Sequence, residues 1–148
     1  MNYTETTKDI NELAEIIEKH KDKLLDNIVL LNGALGAGKT TFVKKFAEAV
    51  CSNYTVSSPT FTIMQKYETA ANPIYHFDLY RIESIDELEM TGFFEYIDYP
   101  GTIFIEWAEK FDIGSFLDNF ITISIKQLED GKRKYVLEVI GGDISVKC

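Results

Sequence analysis

Along residues 9–25, DINELAEIIEKHKDKLL, the apolar residues Leu13, Ile16, Ile17 and Leu24 recur at helical spacing and form one stripe. Asp9, followed three residues later by Glu12, has the spacing of a capping box and sets the helix start. The next segment, NIVLLNG, is a short apolar run ending at Gly33 and predicts a buried strand. After the loop GALGAGK, Phe42, Val43, Phe46, Ala49 and Val50 again recur with a helical period. Beyond Cys51, TVSSPTFTIMQKYE predicts a loop entering an extended segment. NPIYHFDLYRI then opens on a turn signal and runs as a strand through Phe77. Ser84 and Glu87 form a second capping box, opening a helix to about Met90 with Gly92 near its end. YPGTIFIEW predicts a turn and a central strand at 102–105. At the C-terminal end, FITISIK places Ile121, Ile123 and Ile125 on one face, EDGK supplies an Asp-Gly turn, and RKYVLEVI runs back. Helices interleaved with buried strands, closed by an antiparallel hairpin, predict an α/β fold with a partly parallel sheet.

Composition narrows this picture without redirecting it. The chain has 148 residues, 45% of them apolar and 26% charged, the profile of a globular protein; one domain over 1–148 is expected. No internal repeat or low-complexity linker interrupts it. The opening MNYTETTKDINE has neither a basic start nor an apolar core, so no secretory signal is expected, and apolar runs near residues 28–31 are too short to span a bilayer. Cys51 and Cys148 lack metal-ligand spacing and are expected as reduced thiols, in keeping with a cytoplasmic protein. The net charge of −9, with no basic stripe, argues against direct binding to DNA, RNA or an acidic membrane.

The chemistry centres on Gly33 to Thr40, GALGAGKT, which fits G-x-x-x-x-G-K-[ST] between a predicted strand and a predicted helix. The backbone amides of Gly33, Leu35, Gly36, Ala37 and Gly38 would converge on phosphate oxygens, aided by the helix N-terminus. Lys39 would reach the β- and γ-phosphates, Thr40 would ligate Mg²⁺, and Thr41 would lie near the α-phosphate. Such a loop needs an acid at the end of a neighbouring strand. Asp78 and Glu106 both qualify as catalytic or metal-binding carboxylates, and spacing does not choose between them. Ser57, Ser58 and Thr60 in SSPTFT fit either a switch hydroxyl or an ordinary Ser-Pro turn. Trp107 is a packing residue or a contact to the site or a partner, whereas His76 and Cys51 read as core. Arg81 is expected to pair with a nearby acid such as Glu83, and Thr6 and Thr7 are placed near the base.

Only two arginines, Arg81 and Arg133, are present, and no lid-like insertion is visible. A small-molecule kinase must neutralise a second anionic substrate and usually does so with several arginines, so that reading is the weaker alternative. A non-catalytic, ATP-dependent interaction module is the other. The guanine-reading NKxD tetrapeptide is absent, which favours ATP.

GALGAGKTTF, SSPTFT, YHFDLYR and IEW, in that order, resemble the TsaE (YjeE) family over roughly residues 13–107. The resemblance implies a P-loop NTPase-type three-layer sandwich and slow Mg²⁺-dependent ATP hydrolysis in biosynthesis of threonylcarbamoyladenosine (t6A) at position 37 of tRNA. It also implies assembly with TsaB and TsaD, the pair that makes the transfer to tRNA and that TsaE-like proteins reset; contact with tRNA would be indirect. Lys39 and Thr40 match the family's phosphate and metal ligands, Thr60 its switch threonine, Asp78 the acid of HFDLYR, and Glu106 with Trp107 the EW pair. Members commonly read GDLGAGKT, so Ala34 is a departure inside the loop.

Overall fold

The computed structural model describes residues 2–7, 9–50, 55–57 and 63–141. Its first helix, α1 (Ile10–Leu24), starts where the capping box places it: the Asp9 carboxylate accepts from the backbone N–H groups of Asn11 and Glu12 at 2.9 and 3.1 Å. The predicted stripe, Leu13, Ile16, Ile17 and Leu24, is buried, and so is His20 between them. The second helix, α2 (Lys39–Val50), buries Phe42, Val43, Phe46 and Ala47. Four parallel strands form the centre of the sheet: β2 (Ile28–Asn32), β5 (Ile74–Asp78), β6 (Thr102–Glu106) and β7 (Phe120–Gln127). Around them, β1 (Asn2–Thr7), β3 (Thr55–Ser57), β4 (Met64–Glu68) and β8 (Arg133–Ile140) pair antiparallel, giving eight strands in the order β1-β8-β7-β2-β6-β5-β4-β3.

The sheet is covered on both faces, which explains why its central strands read as unbroken apolar runs. Successive side chains alternate across the sheet. Val29 and Leu31 therefore join Phe104, Ile121, Ile123, Tyr135 and the helices α1 and α2 in one core. Leu30, Phe77, Ile103 and Ile105 enter a second core, built with Leu88 of α3 (Ile85–Met90) and Phe93 of α4 (Phe93–Tyr96). Two short 3-10 helices, Ala108–Phe111 and Ile113–Phe116, complete that layer. The result is the α/β fold with a partly parallel sheet that the residue pattern predicts, in the three-layer sandwich that the resemblance implies. Phe104 ties α2 to the sheet, with its ring centroid 5.0 Å from Phe46 and 6.2 Å from Phe42 in edge contacts.

Three departures from the expected elements have physical causes. The polar segment NYTETT forms the edge strand β1, held by its ladder to β8 (Tyr3 opposite Leu137, Thr7 opposite Arg133) and not by an apolar pattern of its own. Glu5 adds a side-chain anchor, accepting from Lys19 on α1 at 3.1 Å. Secondly, β3 is only three residues long and pairs with β4 inside a stretch that reads as loop. Thirdly, α4 and the two 3-10 helices are too short to show a helical period. The Asp-Gly turn is present: Asp130 and Gly131 both take positive φ, 68° and 75°, as a tight hairpin turn requires. No helix among the described residues is long and apolar enough to cross a membrane.

Candidate functional site

All four central strands end on the same side, and α/β sheets bind ligands outside the carboxyl ends of their parallel strands. The loop Gly33–Gly38 leaves the end of β2 there and enters α2 at Lys39. Gly33 is needed for space: a Cβ on it would meet the Ile125 carbonyl oxygen at 2.8 Å. Gly38 is needed for conformation, with φ of +109°. Ala34 is exposed, and its carbonyl accepts from the Ala37 N–H at 3.0 Å.

Lys39 is 4% exposed. Its ammonium donates to the Gly33 carbonyl at 2.7 Å and stands 3.8 Å from the centroid of the Trp107 ring. No carboxylate forms an ion pair with it among the described residues. A desolvated ammonium on a carbonyl dipole and an aromatic face, attracted by the Glu106 carboxylate but in no ion pair with it, has donors available for a phosphate oxygen. Trp107 reaches this position through a left-handed backbone (φ 65°, ψ 31°) directly after β6, a conformation costing a bulky residue about 1–3 kcal/mol. Tyr80 packs on the indole with ring centroids 5.1 Å apart, and Lys110 holds the Tyr80 loop by donating to the Tyr80 and Ile82 carbonyls.

The two acids stand side by side. Asp78 and Glu106 are register partners on the parallel strands β5 and β6, so both carboxylates lie on the α2 face. Their surroundings differ in a way that spacing does not show. Thr40 donates its hydroxyl to Glu106 Oε2 at 3.0 Å, and His76 hydrogen-bonds the same oxygen through Nε2. Asp78 is half-buried, and its carboxylate accepts from the Tyr80 N–H at 3.0 Å. Burial pushes the Glu106 carboxyl upward, but the hydrogen bond and charge of His76, the Thr40 hydroxyl and the Lys39 ammonium outweigh it and hold it below its ordinary value. A carboxyl depressed in the folded state stabilises the fold above its unfolded pKa, and that stability is lost as pH falls through the folded value. We therefore expect the Tm advantage of the wild type over Glu106→Gln to hold near neutral pH and to shrink as the pH is lowered below the ordinary carboxylate range, as measured by thermal melts. A constant advantage would show that the carboxylate is not charged in the fold.

Thr40, Glu106 and Asp78 present only oxygen donors at the mouth of the loop. That donor set suits a hard cation such as Mg²⁺, whose remaining positions are normally filled by phosphate and water. No cluster of three or more His, Cys, Asp or Glu residues able to hold a metal without a substrate occurs among the described residues. A cleft of about 290 Å³ is lined by the loop, Thr40, Thr41, Asp78, Glu106, Trp107 and Arg133. A second hollow of about 480 Å³ is lined by Leu35, Ile63, Asp78, Tyr80 and Arg81; Arg81 belongs here and forms no ion pair with Glu83.

Of the residues singled out by sequence, the loop, Lys39, Thr40, Thr41, Asp78, Glu106 and Trp107 come together. Thr60, Ser58, Cys51 and Cys148 lie outside the described residues. Thr6 and Thr7 end β1 beside Lys134 and Arg133, at the rim of the same sheet edge. Sequence reasoning missed two residues. His76 is a core residue, as expected, but also a partner of Glu106; its place two residues before Asp78 on one strand face was the available signal. Arg133 reaches the loop through the hairpin, which no local pattern shows.

A family model described as threonylcarbamoyl adenosine biosynthesis protein TsaE matches residues 4–135. The chain belongs to the TsaE family. A TsaE relative from Bacillus subtilis is 37% identical over 144 residues, covering 97% of this chain and 86% of its own length. Another from Haemophilus influenzae is 42% identical over 100 residues, 67% of this chain and 62% of the relative. The crystal structure of Bacillus subtilis YdiB superposes with a TM-score of 0.73 at 28% identity, over 95% of this chain and 87% of that one. Membership in the TsaE family ties the chain to t6A biosynthesis in tRNA, and its P-loop fold is that of a nucleotide-binding protein.

Proposed function

We propose that this TsaE-family chain is a single-domain, cytoplasmic, Mg²⁺-dependent ATPase that binds and resets a TsaB–TsaD pair during t6A37 modification of tRNA. The observation carrying the ATPase reading is the hydrogen bond from Thr40, first residue after the loop lysine, to the buried carboxylate of Glu106. It joins the loop's metal-ligand position to a neighbouring strand's acid, the pairing that phosphoryl transfer to water requires.

ATP would lie with its phosphates on the amides of the loop and the start of α2. Lys39 exchanges the Gly33 carbonyl for β- and γ-phosphate oxygens. Mg²⁺, held by Thr40 and Glu106 with Asp78 beside them, would neutralise charge on the β- and γ-phosphates. His76 fixes the orientation of Glu106 and Tyr80 N–H that of Asp78, so the free carboxylate oxygens can align the attacking water. Water oxygen bonds to the γ-phosphorus, the bond to the β–γ bridging oxygen breaks, and ADP leaves with that electron pair. The water proton passes to the released phosphate or to solvent.

Support for a protein partner is compositional. Two arginines, and a sequence without a lid-like insertion between the later strands, leave the charge clamp short, and an acidic chain is better suited to docking on the tRNA-binding proteins than on tRNA itself. Co-purification with TsaB and TsaD homologues, with and without ATP, tests this. We expect a complex that depends on nucleotide and hydrolyses ATP about tenfold or more faster than the chain alone. No complex and no stimulation would remove the partner from the account. Phosphoryl transfer to an acceptor other than water would favour a kinase instead.

A further inference from the structure

Arg133 opens β8, opposite Gln127 on β7 and Thr7 on β1, at the carboxyl end of the sheet. Its guanidinium lies over the phosphate loop: a Cβ built on Gly38 would stand 2.6 Å from Nη1 and 3.1 Å from Cζ. The same end of the hairpin touches the loop again, where Gln127 Nε2 donates to the Gly36 carbonyl at 3.3 Å. Arg133 is half-buried and lines the cleft, yet no acid pairs with it among the described residues. A guanidinium without an acid partner beside a glycine-rich phosphate-loop sequence is suited to the bidentate binding of phosphate oxygens.

Its direction of approach sets which phosphate. Glu106 and Asp78 end β6 and β5 on one side of β2, and with Thr40 they mark the β–γ end of the bound chain. Arg133 comes from β8, two strands away on the other side of β2. We infer that Arg133 is a nucleotide-binding residue that clamps the α/β-phosphate end, common to ATP and ADP, and does not address the transferred γ-phosphate. The inference rests on the ATP-site reading. It completes part of the charge clamp from within the chain, leaving the γ end for a partner.

The test is the Kd of the full chain for Mg-ATP and Mg-ADP, by calorimetry, for wild type, Arg133→Met, Arg133→Ala and Arg133→Lys. Arg133→Met keeps an apolar stem on the hairpin and removes the charge, so binding remains measurable should Arg133→Ala lose stability. We expect Arg133→Met to weaken ADP and ATP alike, by about tenfold, with Arg133→Lys recovering part of the loss. A loss confined to ATP would place the arginine at the γ-phosphate and overturn the inference. Unchanged Kd for both nucleotides would overturn it too, leaving the ATP site standing. Failure of the wild type to bind either nucleotide would instead sink the ATP reading, and this inference with it.

Discussion

Lys39→Ala is expected to slow ATP hydrolysis at least a hundredfold and to weaken nucleotide binding about tenfold or more, while the fold is kept. The first figure follows from removing a charge aimed at a developing anion, worth about 10²–10³ in rate when preorganised. The second follows from losing a charge-assisted hydrogen bond of roughly 1.5–3 kcal/mol. What makes the prediction specific is the stability half. Lys39 is buried without an ion-pair partner among the described residues, on a carbonyl and an indole ring. Removing a desolvated charge of that kind relieves a cost of folding, which offsets the loss of its attraction to the Glu106 carboxylate. The variant should therefore melt no lower than wild type within a few degrees. A large drop in Tm accompanying the loss of activity would mean that Lys39 serves packing first. Because Trp107 is the only tryptophan and its ring faces the ammonium, its fluorescence should change when ATP draws Lys39 away. In Lys39→Ala that response should be absent even at saturating ATP.

Glu106→Gln is expected to cut ATP turnover at least a hundredfold while leaving the Kd for ATP within about tenfold. Its amide oxygen can still accept from Thr40 and from His76, so the hydrogen bonds that shape the site have a replacement. Glu106→Ala should behave differently. It leaves the buried His76 and the Thr40 hydroxyl without their acceptor, at about 1–3 kcal/mol for each orphaned group, and should lower Tm markedly. The contrast separates chemistry from architecture. If Gln and Ala lower Tm equally, the hydrogen bonds to Glu106 carry no stability; if Gln hydrolyses ATP like wild type, the charge has no role in turnover. The Gln variant also addresses whether binding alone is the signal, since one that binds but cannot hydrolyse either supports tRNA modification or does not.

Much of this site was legible because its parts are local. A strand, a glycine loop and a helix are adjacent in sequence, and an acid ending a run such as IYHFD or TIFIE announces a strand terminus. The partnership between the acids and Thr40 was not legible. Whether Glu106 or Asp78 meets Thr40 depends on strand order and the position of α2. His76 shows how far periodicity reaches: alternation puts it on the face of Asp78, but only the β5–β6 register puts it against Glu106. Arg133 lies further beyond. Its place over Gly38 depends on β7 pairing with β2, so that the hairpin returns beside the loop. The strand β1 was invisible for a related reason, since an exposed polar edge is defined by its partner's hydrogen bonds and not by its own pattern.

The central claim, that the cleft at the carboxyl end of the sheet hydrolyses ATP through Lys39, Thr40 and Glu106, is tested most directly by phosphate release. Inorganic phosphate freed from γ-labelled ATP would be measured for wild type and Glu106→Gln, each with TsaB and TsaD homologues, in Mg²⁺ and in excess EDTA. The account predicts sustained release by wild type in Mg²⁺ only, falling at least a hundredfold in Glu106→Gln although ATP still binds. Equal release by the two proteins, or release that survives chelation of the metal, would contradict it.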